Sequence, residues 1–176
     1  MIRIVIAEDQ EMLLGTIGSL LDLEEDMEVV GQACNGAEAL TLIYELQPDV
    51  CIMDIEMPEM SGLEAARALK TFGCKVIILT TFARAGYFHD AVKADVRGYL
   101  LKDSPSEELV SSVRKILDGE RIYSPELMDE YSYNESEICE LKGIKEVEYT
   151  KHQSASGGTV RNYLSTIIDK MKLPTG

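Results

Sequence analysis

Asp49-Val50-Cys51-Ile52-Met53-Asp54-Ile55-Glu56-Met57-Pro58 decides the fold of this chain. The apolar run reads as a short strand buried on both faces, and the acidic turn closes it. A second apolar run, residues 2–7, is closed by Glu8-Asp9. Two strands ending in carboxylates put three acids around one point. Such a cluster repels itself unless a hard divalent cation sits in it. A metal beside an aspartate makes that aspartate a candidate phosphate acceptor.

Outward from these two runs the same pattern repeats. Further apolar runs occupy residues 28–33, 75–79 and 98–101. Amphipathic stretches lie between and after them, at 12–21, 37–46, 63–72, 86–93 and 107–117. In the first, Leu13, Ile17, Leu20 and Leu21 recur at helical spacing. Five strand–helix units in about 120 residues predict a five-stranded parallel sheet covered on both faces. Right-handed crossovers favour the doubly wound order 2-1-3-4-5, with its switch point between strands 1 and 3. Ligands sit there, beyond the carboxyl ends of the strands. Glu8, Asp9 and Asp54 would meet at that point. Strand 4 ends in Thr80-Thr81 and strand 5 in Lys102, on the same edge.

The set is an acidic pocket, a central aspartate, a hydroxyl and a cation. Mg²⁺ takes oxygen ligands, using one or two carboxylates and keeping waters. Asp9 and Asp54 supply carboxylates in this reading, Glu8 binds through a water, and the Glu56 backbone carbonyl fills another position. Asp54 attacks phosphorus to form an acyl phosphate. Mg²⁺ and Lys102 offset charge on the transferring group, and the Thr80 hydroxyl bonds a phosphoryl oxygen. Each residue alone has a plainer role, as a loop acid, a helix cap or a solvated cation. The agreement of four strand ends gives the pattern its meaning. A flavodoxin-like FMN site is opposed by Glu8-Asp9, which would repel the phosphate. A Toprim-like Mg²⁺ enzyme leaves Thr80 and Lys102 without a role.

Charge narrows the partners. The chain has 176 residues and a formal net charge of −14. Residues 1–125 hold 11 Lys+Arg against 22 Asp+Glu, net −11, and residues 126–148 hold 2 against 8, net −6. Residues 149–176 hold 4 against 1, net +3, so any DNA contact is expected there. Cys34, Cys51, Cys74 and Cys139 form no CxxC pair and read as buried reduced thiols. No signal peptide and no apolar run near the length of a membrane span are apparent. A cytoplasmic protein without membrane insertion is expected.

From Arg121 to about Asn134 periodicity fades, and Tyr123-Ser124-Pro125 reads as linker. Residues 135–153 are mixed. Gly157-Gly158-Thr159 then opens a last periodic segment, with Val160, Leu164, Ile167, Ile168 and Met171 on one helical face.

Taken together, four pieces resemble the receiver domain of two-component response regulators. They are residues 6–10, residues 54–58 with Ser61-Gly62, Leu79-Thr80-Thr81, and Gly98-Tyr99-Leu100-Leu101-Lys102. The wording around them is most similar to the NarL/LuxR-type subgroup, and within it to lipid-desaturase regulators. The resemblance implies Asp54 as phosphoacceptor, Glu8 and Asp9 as Mg²⁺ acids, Thr80 and Tyr99 as switch residues and Lys102 as the phosphoryl contact. It implies a membrane-associated sensor histidine kinase as donor and a homodimer formed on phosphorylation. It implies a receiver over residues 1–120, a linker over 121–134 and a small all-α helix-turn-helix domain over 135–176 that binds promoter DNA. Thr159, Arg161, Asn162 and Ser165 would face the major groove, with Arg suited to guanine and Asn to adenine. Lys170 and Lys172 would meet phosphates.

Two departures stand out. Many receivers have proline, after a cis bond, where this chain has Lys102-Asp103. The usual opening helix of the effector is also missing, because only 30 residues separate Met128 from Thr159. Either the effector is degenerate or the sequence skips intervening segments. A receiver or phosphorelay protein without DNA binding is the rival expectation.

Overall fold

A computed structural model describes residues 1–81, 84, 86–124 and 126. Strands and helices alternate along the chain: β1 Ile2–Ala7, α1 Glu11–Asp22, β2 Met27–Ala33, α2 Gly36–Leu46, β3 Val50–Met53 and α3 Gly62–Leu69. They continue as β4 Lys75–Thr80, α4 Tyr87–Lys93, β5 Gly98–Leu101, α5 Ser106–Leu117 and β6 Ile122–Tyr123. All strand pairs are parallel, in the order β2-β1-β3-β4-β5-β6. The doubly wound order expected for strands 1–5 is therefore present.

Strand alternation sorts the core into two layers. Ile4, Ile6, Ile52, Ile77, Leu79 and Leu100 pack with α1 and α5. Val5, Ala7, Cys51, Met53, Val76, Ile78 and Tyr99 pack with α2, α3 and α4. Both faces are covered, which is why β3 and β4 read as unbroken apolar runs. Local chemistry sets the helix starts. The Asn35 side chain accepts the Glu38 N–H at 2.8 Å. Ser61 and Glu64 form a reciprocal capping box that fixes the first turn of α3.

The sheet corrects the five-strand expectation. A sixth strand, β6, lies inside the stretch read as linker. Ile122 pairs with Gly98 and Tyr123 with Tyr99, and both are buried. Two residues carry no periodicity, so hydrophobic pattern had nothing to register; pairing with β5 makes the strand. Among the described residues there is no cis peptide bond, so Lys102-Asp103 is trans. Among the described residues the three cysteines are free thiols, yet only Cys51 is buried; Cys34 is exposed and Cys74 intermediate. Cys34 follows the last residue of β2, where the chain turns outward. No helix among the described residues is long and apolar enough to cross a membrane. The helix-turn-helix expected over 135–176, with Thr159, Arg161, Asn162, Ser165, Lys170 and Lys172, lies outside the described residues, as does Cys139.

Candidate functional site

The C-terminal ends of β1, β3, β4 and β5 converge on one pocket. Glu8 and Asp9 follow β1, Asp54 follows β3, Thr80 ends β4 and Lys102 follows β5. Backbone bonds lock these ends together. The Asp54 N–H donates to Ala7 O at 3.0 Å, the Glu8 N–H to Ala33 O at 3.0 Å and the Lys102 N–H to Thr80 O at 2.7 Å. Ligand oxygens of Glu8, Asp9 and Asp54 all lie within 4.8 Å of one another. Asp9 is exposed, whereas Glu8 and Asp54 are 2% and 6% exposed.

Lys102 is the cation inside this cluster. Its Nζ lies 2.5 Å from Glu8 Oε2 and 2.9 Å from Asp54 Oδ2, and the residue is 1% exposed. The Ile55 N–H donates to Asp54 Oδ1 at 2.7 Å, so both carboxylate oxygens are held. Burial pushes the Glu8 carboxyl above its ordinary range despite the Lys102 ion pair, and the charge on Asp54 adds to the rise. Two buried carboxylates thus flank one ammonium, with the exposed Asp9 beside them. All-oxygen donors with surplus negative charge suit a small hard cation such as Mg²⁺.

Glycine sets the position of Asp54. A Cβ on Gly62 would stand 2.0 Å from the Asp54 carbonyl oxygen. The start of α3 therefore lies directly against the end of β3, and no side chain fits between them. The sequence contained Gly62 within the Ser61-Gly62 pair, but its steric reason appears only in three dimensions.

Other expected residues sit apart from the acids. The Glu56 side chain turns outward, 2.9 Å from Arg84 Nη1, and accepts the Tyr87 hydroxyl at 3.4 Å. The guanidinium of Arg84 also stands 5.9 Å from the Tyr87 ring centroid. This clasp joins the loop after β3 to the start of α4. Sequence reasoning gave Arg84 and Tyr87 no role, because nothing in their spacing from Glu56 shows that they meet. Thr80 is buried at the end of β4. Tyr99 is fully buried in the layer under α4, edge-on to Phe88 at 5.9 Å.

Comparison with known proteins agrees with this geometry. Residues 4–114 match the response regulator receiver domain family. The chain is 56% identical over 182 residues to the transcriptional regulatory protein DesR of Bacillus subtilis, covering 98% of this chain and 92% of that one. It is likewise 56% identical over 182 residues to the transcriptional regulatory protein YvfU of the same organism, covering 97% and 91%. A crystal structure of a LuxR-family DNA-binding response regulator from Staphylococcus aureus is 44% identical with a TM-score of 0.64, covering 66% of this chain and 99% of that chain. The chain belongs to the response regulators that carry this receiver domain, of the LuxR type.

Proposed function

We propose that Asp54 accepts a phosphoryl group from the phosphohistidine of a sensor histidine kinase and that the chain thereby regulates transcription. The observation that carries this reading is the Glu8–Lys102–Asp54 cluster with Asp9 beside it. An Asp54 oxygen attacks phosphorus, the P–N bond breaks, and its electron pair returns to the imidazole nitrogen. Lys102, already 2.9 Å from Asp54, offsets charge on the transferring group. Thr80 at the end of β4 offers its hydroxyl to a phosphoryl oxygen. Glu8, Asp9, Asp54 and the Glu56 carbonyl would hold Mg²⁺, which when bound neutralises phosphate charge and aligns donor and acceptor. Tyr99 serves with Thr80 as the switch.

The output is read as DNA binding by a homodimer. DesR and YvfU are named transcriptional regulators and align along nearly all of this chain, which supports an effector over 135–176. The positive charge of residues 149–176 supports it independently. In this reading residues 1–120 receive, 121–134 connect, and Thr159, Arg161, Asn162 and Ser165 meet bases while Lys170 and Lys172 meet phosphates. The kinase is read as membrane-bound and the regulator as a cytoplasmic protein that catalyses only its own phosphoryl transfer and loss.

Intact mass after incubation with Mg²⁺ and a small phosphodonor tests the first step. One phosphoryl mass is expected on wild type and none on Asp54→Ala. Equal labelling of both proteins would defeat the assignment of Asp54. Salt-sensitive promoter binding that weakens in Arg161→Ala is expected of the output. A chain that takes the phosphoryl group but binds no DNA is the relay alternative.

A further inference from the structure

β6 is held by backbone and side-chain contacts, and each kind includes a link to Tyr99. The Ile122 N–H donates to Arg97 O at 3.0 Å and the Ser124 N–H to Tyr99 O at 2.9 Å. The second bond ties the end of β6 to the Tyr99 backbone. The side chains make another link. Phe88 of α4 stands edge-on to Tyr99, with centroids 5.9 Å apart, and edge-on to Tyr123, with centroids 5.1 Å apart. All three rings are buried. Phe88 is therefore a wedge between the proposed switch ring and the strand that leaves the receiver.

The last residue of β6 and the residue that follows it are secured unequally. At that last residue, the Tyr123 hydroxyl donates to Val96 O at 3.0 Å and accepts from Arg121 at 3.3 Å. Arg121 in turn pairs with Asp95. Past its end, Ser124 is fully buried, and its hydroxyl has no hydrogen-bond partner among the described residues. A buried unpaired hydroxyl destabilises the position that holds it. Tyr123 is clamped through its hydroxyl, whereas Ser124 is tied by its backbone bond to Tyr99 and carries a buried hydroxyl unpaired among the described residues. Small changes at Tyr99 then act on the backbone bond that ties Ser124.

We infer that β6 is the output strand of this receiver: the Tyr99–Phe88–Tyr123 ring series and the Tyr99 carbonyl make its pairing depend on where the Tyr99 side chain sits. This rests on the reading of Asp54 as phosphoacceptor and Tyr99 as switch. When Tyr99 shifts, Phe88 loses one edge contact and repacks. Tyr123 then loses its ring partner, and the Ser124 bond changes length or breaks. The chain that follows β6 is re-aimed at its first residue. Phe88 and Tyr123 are positioning residues, since neither touches the pocket acids. The two-state element is the short β5–β6 ladder, biased from the pocket end.

Hydrogen exchange of the full chain tests this, with intact mass read on the same samples. The probes are Mg²⁺ and a small phosphodonor, and the readout is the amides of Ile122 and Ser124. Phosphorylation is expected to change their exchange about threefold or more in wild type. Phe88→Leu and, separately, Tyr123→Leu remove the ring series from either side. Each is expected to accept the phosphoryl group yet lose most of that change. Tyr123→Phe keeps the ring and is expected to keep the change. A wild type that gains phosphoryl mass with unaltered exchange at both amides overturns the inference. So does a Leu variant that folds and keeps the full response. A wild type that gains no mass defeats the Asp54 reading itself, which the mass channel reports separately.

Discussion

The two ends of the parallel sheet hold ion clusters of opposite proportion. Where β1, β3 and β5 end, one ammonium, Lys102, serves Glu8 and Asp54 with Asp9 alongside. Where β5 begins, one carboxylate, Asp95, is gripped by two guanidiniums, Arg97 at 2.9 Å and Arg121. Burial raises the pKa of an acid at both ends, but the outcomes differ. Glu8 stays above the ordinary carboxylate range because burial, with added repulsion from Asp54, outweighs the Lys102 ion pair. Asp95 falls below it because Arg121 and Arg97 together outweigh burial. The second cluster closes on itself and is structural. The first holds more negative charge than its own cation balances, which is what a site awaiting an added cation requires.

Breaking the open cluster should give the largest effect. Lys102→Met leaves Glu8 and Asp54 facing each other without their cation. We expect a loss of about 3 kcal/mol in urea unfolding at neutral pH without metal, the order seen when a buried pair loses one partner. Mg²⁺ should restore part of that loss and should also stabilise wild type, since a ligand of the native state shifts unfolding by mass action. A Lys102→Met protein as stable as wild type and indifferent to Mg²⁺ would place this cluster in the same class as that of Asp95.

The sequence made one of these clusters legible and hid the other. Glu8, Asp9, Asp54 and Lys102 each follow a recognisable apolar run, so sheet topology alone predicts that they meet. Asp95, Arg97 and Arg121 belong to no run; Arg121 reaches Asp95 only because β6 pairs beside β5, and a two-residue strand leaves no periodic signal. The same reason hid the Phe88–Tyr123 contact at 5.1 Å. Gly62 shows a third limit. Its identity is visible in the sequence, but the 2.0 Å approach to the Asp54 carbonyl belongs to the crossing of β3 and α3.

The closed cluster should respond differently to substitution. Asp95 has φ of 60°, a left-handed conformation that asparagine also tolerates, so Asp95→Asn tests charge with little backbone change. Because the site is partly exposed, we expect a loss of about 1 kcal/mol at neutral pH. The Asp95 carboxyl is depressed in the folded state, so its stabilisation is present above the ordinary carboxylate pKa. It is lost as pH falls through the lowered folded value. Wild type and variant should therefore converge in acid, and Mg²⁺ should not alter their difference. A Mg²⁺-dependent gap between them in urea unfolding would break the distinction between the two ends.

Glu108 supplies the smallest and most selective test, because it is an acid that neither cluster neutralises. It lies on α5, half-buried, with Oε1 lacking a hydrogen-bond partner among the described residues. Burial pushes its carboxyl up to about 7; a hydrogen bond from Ser104 opposes the rise, the charge on Glu126 adds to it, and Lys115 counters weakly. Between the ordinary carboxylate pKa and 7 the folded chain thus binds more protons at this position than the unfolded chain. Stability must fall as pH rises across that window. Glu108→Gln removes the ionisation, so it should unfold like wild type near pH 4 and be more stable by about 1 kcal/mol above pH 7, after allowance for partial solvent screening. Urea midpoints at the two pH values measure the difference. If Glu108→Gln is no more stable than wild type at high pH, then Ser104 and Lys115 compensate the ionised carboxylate fully. Surplus negative charge would then be confined to the Asp54 pocket.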